Sequence, residues 1–548
     1  MSLQPEKKPE VPEETARIAK SLFPKGNRYM WLRDELGAIY TDEQFARLYP
    51  IKGQLAEQPW RLALVCIMQY MENYTDRQAA EAMKTRIDWK YALSLELTDP
   101  GFDFSLLSEF RSRLINSGIE ELLLTTLLNV CRERGWIKER GKQWTDSTHV
   151  EAAIRAMNRL ECAAETLRAA LNSLAVVVPE WLHARVPQEW HDRYDQRIED
   201  FRFPKEKTKR QALSEQIGQD GWDLLTWVRE EGPVWLREVP AVETLRQVWI
   251  QQFWVNEGKI SFRSDDMIPP ASQMITSPYD TDARRSAKRD TVWTGYKVHL
   301  TETCDDYTPH VIINVETTPA TTHDMNMNMT EVIHEDLECK QLLLSEHLMD
   351  AGYVDGEHLV NSKKQYEIEL VGPVAVNGTW QAKAENGFDI SRFQIDWENK
   401  SVTCPQGKIS HKWTERADFQ GFEVIRAQFG KADCLACPSR ALCTRSETGP
   451  RQLVFRTQEQ HEAIQAARQR QMTLPFKERY AKRAGVEGTI SQGARAFGIH
   501  ESRYIGNAKN HLQHLLTATA MNVARLFSWY MEATPFKPRI SRFAALAA

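Results

Sequence analysis

Several things are missing from this 548-residue sequence, and each absence removes a class of protein. No run of 18 apolar residues is free of charge, and a membrane-spanning helix needs about that length. The most apolar late segment, LLTATAMNVARLFSWY, is cut by Arg525. The start, MSLQPEKKPEVPEE, has no apolar signal core, so a cytoplasmic protein with no membrane partner is expected. Positive charge is not in overall excess, since the formal net charge is −5. A nucleic-acid surface must therefore be a local patch. Nine cysteines, an odd number in a long chain, do not read as a disulfide framework. No internal repeat is present.

What is there is enough apolar sequence for two to four folding units. Residues 1–25 are rich in proline and charge and are expected to be poorly ordered. Residues 26–140 carry apolar positions at helical spacing, with Thr75 or Asp76 as an N-cap, and read as a helical, DNA-binding domain. A helix-turn-helix and a plain bundle are equally open there. KQWTDSTHVEA then predicts a short strand ending in Asp146. An α/β core is drawn in three parts, 141–160, 290–375 and 476–530. A helical insertion (161–289) and a Cys-rich β insertion (376–475) separate them, and 531–548 form a tail. A basic loop enters a strand at Tyr296–Thr301, HVIINVETTPA is its hairpin partner, and LLLSEHLMDAGY carries a strand that ends at Asp350. Alternating strands and helices predict an α/β fold with a mixed sheet inside.

Three carboxylates occupy special places. Asp146 and Asp350 end strand-like runs, and Glu487 sits in YAKRAGVEGTISQ between two glycines. Carboxylates at strand ends beside a helix-borne carboxylate suit divalent ions, which take oxygen ligands and keep open positions for water and phosphate. An Asp after a strand is more often a turn or cap residue, so spacing alone does not decide. On a regular helix Tyr480, Arg483 and Glu487 share one face.

The segments TDSTHVEAAI, TGYKVHLTETCDD, HLMDAGYVDGEHL and YAKRAGVEGTISQGARAFGIHESRYIGNAKNHLQH resemble those of bacterial insertion-sequence transposases of the DDE class. The likeness spans about residues 40–530 and implies that the three-part core, 141–160, 290–375 and 476–530, is a ribonuclease-H-like catalytic core. The last segment resembles the signature Tyr-x2-Arg-x3-Glu-x6-Lys through Tyr480, Arg483 and Glu487. The lysine position holds Ala494, followed by Arg495. The resemblance implies Asp146, Asp350 and Glu487 as catalytic metal ligands for two Mg²⁺ or Mn²⁺ ions. It also implies terminal inverted repeats and target DNA as partners, a synaptic homodimer or larger assembly, and a nucleoid-associated bacterial protein. The same acids would serve a nuclease without strand transfer. An inactive, transposase-derived DNA-binding regulator is the other alternative, which the departure at 494 keeps open.

Two further sets stand out. Cys404, Cys434, Cys437 and Cys443 include a CxxC, which predicts a structural zinc site, with reduced buried thiols or a redox pair as alternatives. Arg284, Arg285, Lys288, Arg289 and Lys297 cluster around Trp293, and Arg503, Tyr504 and Lys509 follow later. Between Lys477 and Arg542 stand 11 Lys/Arg against 4 Asp/Glu. These groups are expected to neutralise phosphates, with the aromatics stacking on bases.

Overall fold

A computed structural model describes residues 2–5, 9–256, 258–288, 290–322, 328–384, 386–418, 421–532 and 546. The strands, in chain order, are β1 Lys142–Glu151, a hairpin of β2 Phe253–Asn256 and β3 Lys259–Phe262, β4 Arg284–Lys288, β5 Thr291–Thr303, β6 Ile312–Pro319, β7 Glu346–Leu348 and β8 Glu369–Val371. The Cys-rich stretch adds β9 Gln394–Asp396, β10 Ser401–Thr403, β11 Lys412–Ala417, β12 Glu423–Gln428 and β13 Gln452–Phe455.

One mixed sheet organises the molecule. β5 pairs antiparallel with β1 on one side and β6 on the other, while β1, β7 and β8 run parallel. β4 extends the edge beyond β6 by pairing with the first half of β5. The long β-branched and aromatic run TVWTGYKVHLTET makes β5 the spine. β1 does not stop at Asp146. It continues to Glu151 because β5 offers partners all the way, with Asp146 opposite Leu300 and Glu151 opposite Gly295. The polar DSTH run resembles a turn locally, and pairing overrides that. Gly295 lies at φ +155°, and a Cβ there would stand 2.2 Å from the Val150 carbonyl oxygen. The crossing of β1 and β5 therefore needs glycine.

The N-terminal helices from Arg28–Leu36 to Leu122–Glu133 share one apolar core with this sheet, and the Glu13–Leu22 helix packs on them through a small cluster of Ala19, Met30 and Tyr91. The opening stretch is not uniformly loose as expected, because the Glu13–Leu22 helix buries Thr15 and Ala19 and Thr15 Oγ1 donates to Leu95 O at 2.8 Å. Thr75 is the N-cap of Asp76–Thr85, in a reciprocal capping box with Gln78. The Asn507–Tyr530 helix is the common spoke. It packs against β6 and the Pro59–Met71 and Leu122–Glu133 helices, and Asn522 Oδ1 accepts from the Ile312 amide at 2.7 Å. The Arg159–Gln252 helices close a second core of their own. β9–β13 surround a third. No described helix is long and apolar enough to cross a membrane.

Candidate active site

Parallel pairing of β1 with β7 sets two acids side by side. Asp146 lies past the β1/β7 pairing, and Asp350 follows β7 directly, where its carboxylate accepts from the Ala351 amide at 2.7 Å and starts a short turn of 3₁₀ helix. They are close enough for the Asp350 charge to act on Asp146. Burial pushes the Asp146 carboxyl up, against the pull of Arg483, the Ser147 amide and Lys288, and Asp350 pushes the same way as burial. Arg483 Nη2 stands 2.9 Å from Asp146 Oδ2, with the two side chains 11% and 18% exposed. This is an ion pair without hydrogen-bond alignment, because Arg483 Nε and Nη2 have no hydrogen-bond partner.

The segment that carries Arg483 is not one regular helix. Leu474–Ala481 and Ala484–Phe497 are separate helices, joined by tight turns in which the Arg483 amide donates to Tyr480 O at 3.0 Å and the Val486 amide to Arg483 O at 3.0 Å. Tyr480 is half-buried beside Arg483 and stacks on Phe476 with centroids 5.8 Å apart. Burial raises its hydroxyl pKa, and Arg483 opposes that. The second helix buries Val486, Thr489, Gly493 and Phe497. At about 100° per residue, Arg483, Glu487 and Ala494 fall together on one flank of that line. Glu487 is exposed, one turn beyond Arg483. Among the described residues no group of three His, Cys, Asp or Glu side chains is placed to hold a metal ion. The structure thus joins Asp146 and Asp350, and sets Glu487 on the adjoining flank without contact to either.

Close packing fixes this helix on the sheet. A Cβ on Gly485 would come within 2.3 Å of the Trp144 ring, so the glycine lets the helix settle on β1, whereas Gly488 faces open space. Glu302, which the sequence reading passed over, is the anchor. It is 1% exposed, accepts from Trp144 Nε1 at 2.9 Å, and also binds Thr489 Oγ1 and Arg525 Nη1. Its position opposite Trp144 in β5 emerges only once the register is known.

The basic residues separate into several groups. Arg285, Lys288, Arg495 and Lys509 are exposed. Lys288 also acts on Asp146. Arg284 instead binds its own loop, donating from Nε to Ser272 O at 2.9 Å and from Nη1 to Ala283 O at 3.1 Å. Lys297 Nζ donates to Thr322 O at 2.7 Å. Arg503 clamps the N-terminal helices, with Nη1 donating to Tyr74 O at 2.8 Å and its guanidinium 4.5 Å from the Tyr70 ring centre. Trp293, expected at a DNA surface, is buried under the sheet edge, and its Nε1 donates to Tyr296 O at 3.1 Å. Arg289 lies outside the described residues.

The four cysteines Cys404, Cys434, Cys437 and Cys443 line one cavity of about 40 Å³ with Phe393, Phe429 and Arg451. Gly407 closes a tight turn onto Cys404 O at 2.8 Å, the Lys408 amide points at Cys404 Sγ at 3.3 Å, and the Arg451 amide points at Cys434 Sγ at 3.4 Å. Burial pushes the Cys443 thiol up to about 11, and the other three cysteines add to the shift.

Comparison with known families gives two matches. Residues 403–527 match the family described as Transposase DDE domain, and residues 18–113 match the family described as Transposase domain (DUF772). The first contains the Cys cluster and Glu487, and Asp146 and Asp350 fall between the two. No curated protein matches the chain.

Proposed function

We propose that this chain, a transposase with a DDE domain and an N-terminal transposase domain, binds the terminal inverted repeats of an insertion sequence and carries out strand cleavage and strand transfer on a ribonuclease-H-like core. The observation that carries this reading is the meeting of Asp146 in β1 with Asp350 just after the parallel strand β7, beside Arg483 at the head of the helix that bears Glu487. The order β6-β5-β1-β7-β8, with an antiparallel half and a parallel half, supports the ribonuclease-H-like reading.

Transposase DDE chemistry uses divalent ions, and the donor set fits them in type: paired carboxylates, partly desolvated, with a third on the adjoining flank. Asp146, Asp350 and Glu487 would hold two Mg²⁺ or Mn²⁺ ions, which when bound supply an activated water and charge for the leaving oxygen. The chain's own residues do the positioning. Arg483 offers a planar fork of donors to a phosphate. Tyr480 braces that guanidinium from the preceding helix, and Lys288 adds positive charge from the hairpin tip. Glu302 keeps the Glu487 helix seated on β1. The N-terminal helices, with the 161–289 insertion, would grip the element ends, and two or more copies would hold both ends together. The four cysteines would bind a structural zinc ion that closes the Cys-rich unit.

The test is cleavage of element-end DNA. Asp146→Asn, Asp350→Asn and Glu487→Gln each keep shape and remove a ligand charge, and each should abolish cleavage and strand transfer while leaving DNA binding intact. Asp355→Asn keeps its capping bond to the His358 amide, and Glu501→Gln is exposed, so both should stay active. Normal cleavage by Glu487→Gln would overturn the assignment of the third acid.

A further inference from the structure

The cation nearest the acid pair is held in place but left unsatisfied. Arg483 is drawn inward by the tight turns that join its two helices, and it reaches Asp146 Oδ2 at 2.9 Å. Its Nε and Nη2 still have no hydrogen-bond partner. Idle donors on a buried guanidinium are costly, and the anion that best fits a guanidinium fork is a carboxylate or phosphate presenting two oxygens. Asp146 does not offer that geometry. A DNA phosphate would. Asp350 carries an amide hydrogen bond and no ion pair among the described residues, so one acid of the pair is blocked and the other is open.

We propose that Arg483 is a counter-ion switch: without DNA it occupies the cation position at Asp146 and weakens divalent-ion binding, and a DNA phosphate draws the guanidinium away and frees that carboxylate. The inference rests on the reading of Asp146 and Asp350 as metal ligands. It makes ion and DNA binding reciprocal, each strengthening the other by the same factor. The chain would then stay poorly charged with metal until DNA lies across the site, which protects it from idle hydrolysis. Lys288 is exposed and screened by solvent, so it cannot take over this role at short range.

The experiment is Mn²⁺ binding to the full chain, followed by the electron paramagnetic resonance signal of free Mn²⁺, with and without a short DNA duplex and with the duplex alone subtracted. The wild-type protein should bind Mn²⁺ roughly fivefold or more tightly when the duplex is present. Arg483→Met should bind it about that much more tightly than wild type without DNA, and the duplex should then add little. An Arg483→Met protein with a wild-type melting curve and no gain in Mn²⁺ affinity overturns the switch. If that variant fails to fold, Arg483→Lys decides. Its ammonium cannot take a phosphate through two bonds, so the response to duplex should shrink, and an undiminished response overturns the proposal. Asp146→Asn separates the two levels. If it keeps wild-type Mn²⁺ affinity, the metal-ligand reading falls. If it loses that affinity while Arg483→Met gains none, only the switch falls.

Discussion

Two units stand outside the central sheet, one between β1 and β4 and one after β8, and they hold together by different means. Among the described residues the helical one encloses 21 buried apolar side chains, from Leu160 to Ile275, including Trp190, Trp249 and Phe253. The Cys-rich one encloses seven, from Phe393 to Phe455, and packs three of its cysteines against them. A core of the first size supports itself by burial. One of the second size falls where small folds need a staple. The family match runs through the Cys-rich unit and omits the helical insertion entirely. The unit with the small core is thus the one that overlaps a family match, and the unit with the large core lies outside both matches.

The comparison breaks most sharply from the cysteine side. Zinc bound by thiolates contributes on the order of 10 kcal/mol to such folds. Protein purified without chelator should therefore carry about one zinc per chain. Cys437→Ser, or a strong chelator, should open residues 376–456 to limited proteolysis and leave the helical insertion resistant. A metal-free protein that resists protease equally in both regions would remove the distinction.

From the other side, Trp249→Ala deletes a buried indole whose Nε1 donates to Gly218 O at 2.9 Å. It should cost about 3–5 kcal/mol in denaturant unfolding of the helical insertion, and zinc removal should not alter that loss.

A third kind of support, charge, joins the N-terminal helices to the elements around the sheet. Lys340 pairs with Glu121 at 2.9 Å and with Asp336, and His511 pairs with Glu121 at 3.1 Å. Burial pushes the nearby Glu316 carboxyl from 4.5 up to about 7, so the folded state holds a proton that the unfolded chain releases. Its contribution is complete below pH 4.5 and is lost as pH rises to about 7, roughly 3 kcal/mol at most. His511, also raised, acts with the same sign above its ordinary value, while Glu121, lowered, acts oppositely at acid pH. Glu316→Gln should flatten the stability profile between pH 4.5 and 7, as read from thermal melts.

The smallest effect contrasts neighbouring arginines on β4. Arg285→Ala should weaken DNA binding and reduce the salt slope by about one unit. Arg284→Ala should leave the slope unchanged, because its guanidinium already serves loop carbonyls.

Legibility followed the range of the forces involved. The β5–β6 hairpin and the strand that ends at Asp350 were readable because β-branched runs and a following turn are local signals. The cysteine set was readable from spacing, and the structure brings its members around one cavity. The flank shared by Arg483 and Glu487 follows from helical period alone. The length of β1 was not readable, since Ser147, Thr148 and His149 join the strand only through β5. Nor was the helix break at Lys482 and Arg483, where no glycine or proline marks it. Burial of Trp293 and the anchor at Glu302 depend on register, which a single sequence does not display.

The helix Asn507–Tyr530 also sets a clock. Trp31 lies 5.7 Å, ring to ring, from Phe527, and Tyr530 reaches Glu35, so the Arg28–Leu36 helix waits for partners made 495 residues later. At about 5–20 residues per second a ribosome takes on the order of a minute to deliver that partner. Until then the N-terminal apolar faces have no permanent cover, and contacts spanning almost the whole chain form slowly. A polypeptide interrupted before residue 507 would lose a wall of its N-terminal helical region. Ribosomes that stall before that helix would release chains whose early apolar faces are still exposed, and quality-control proteases would meet them in that state.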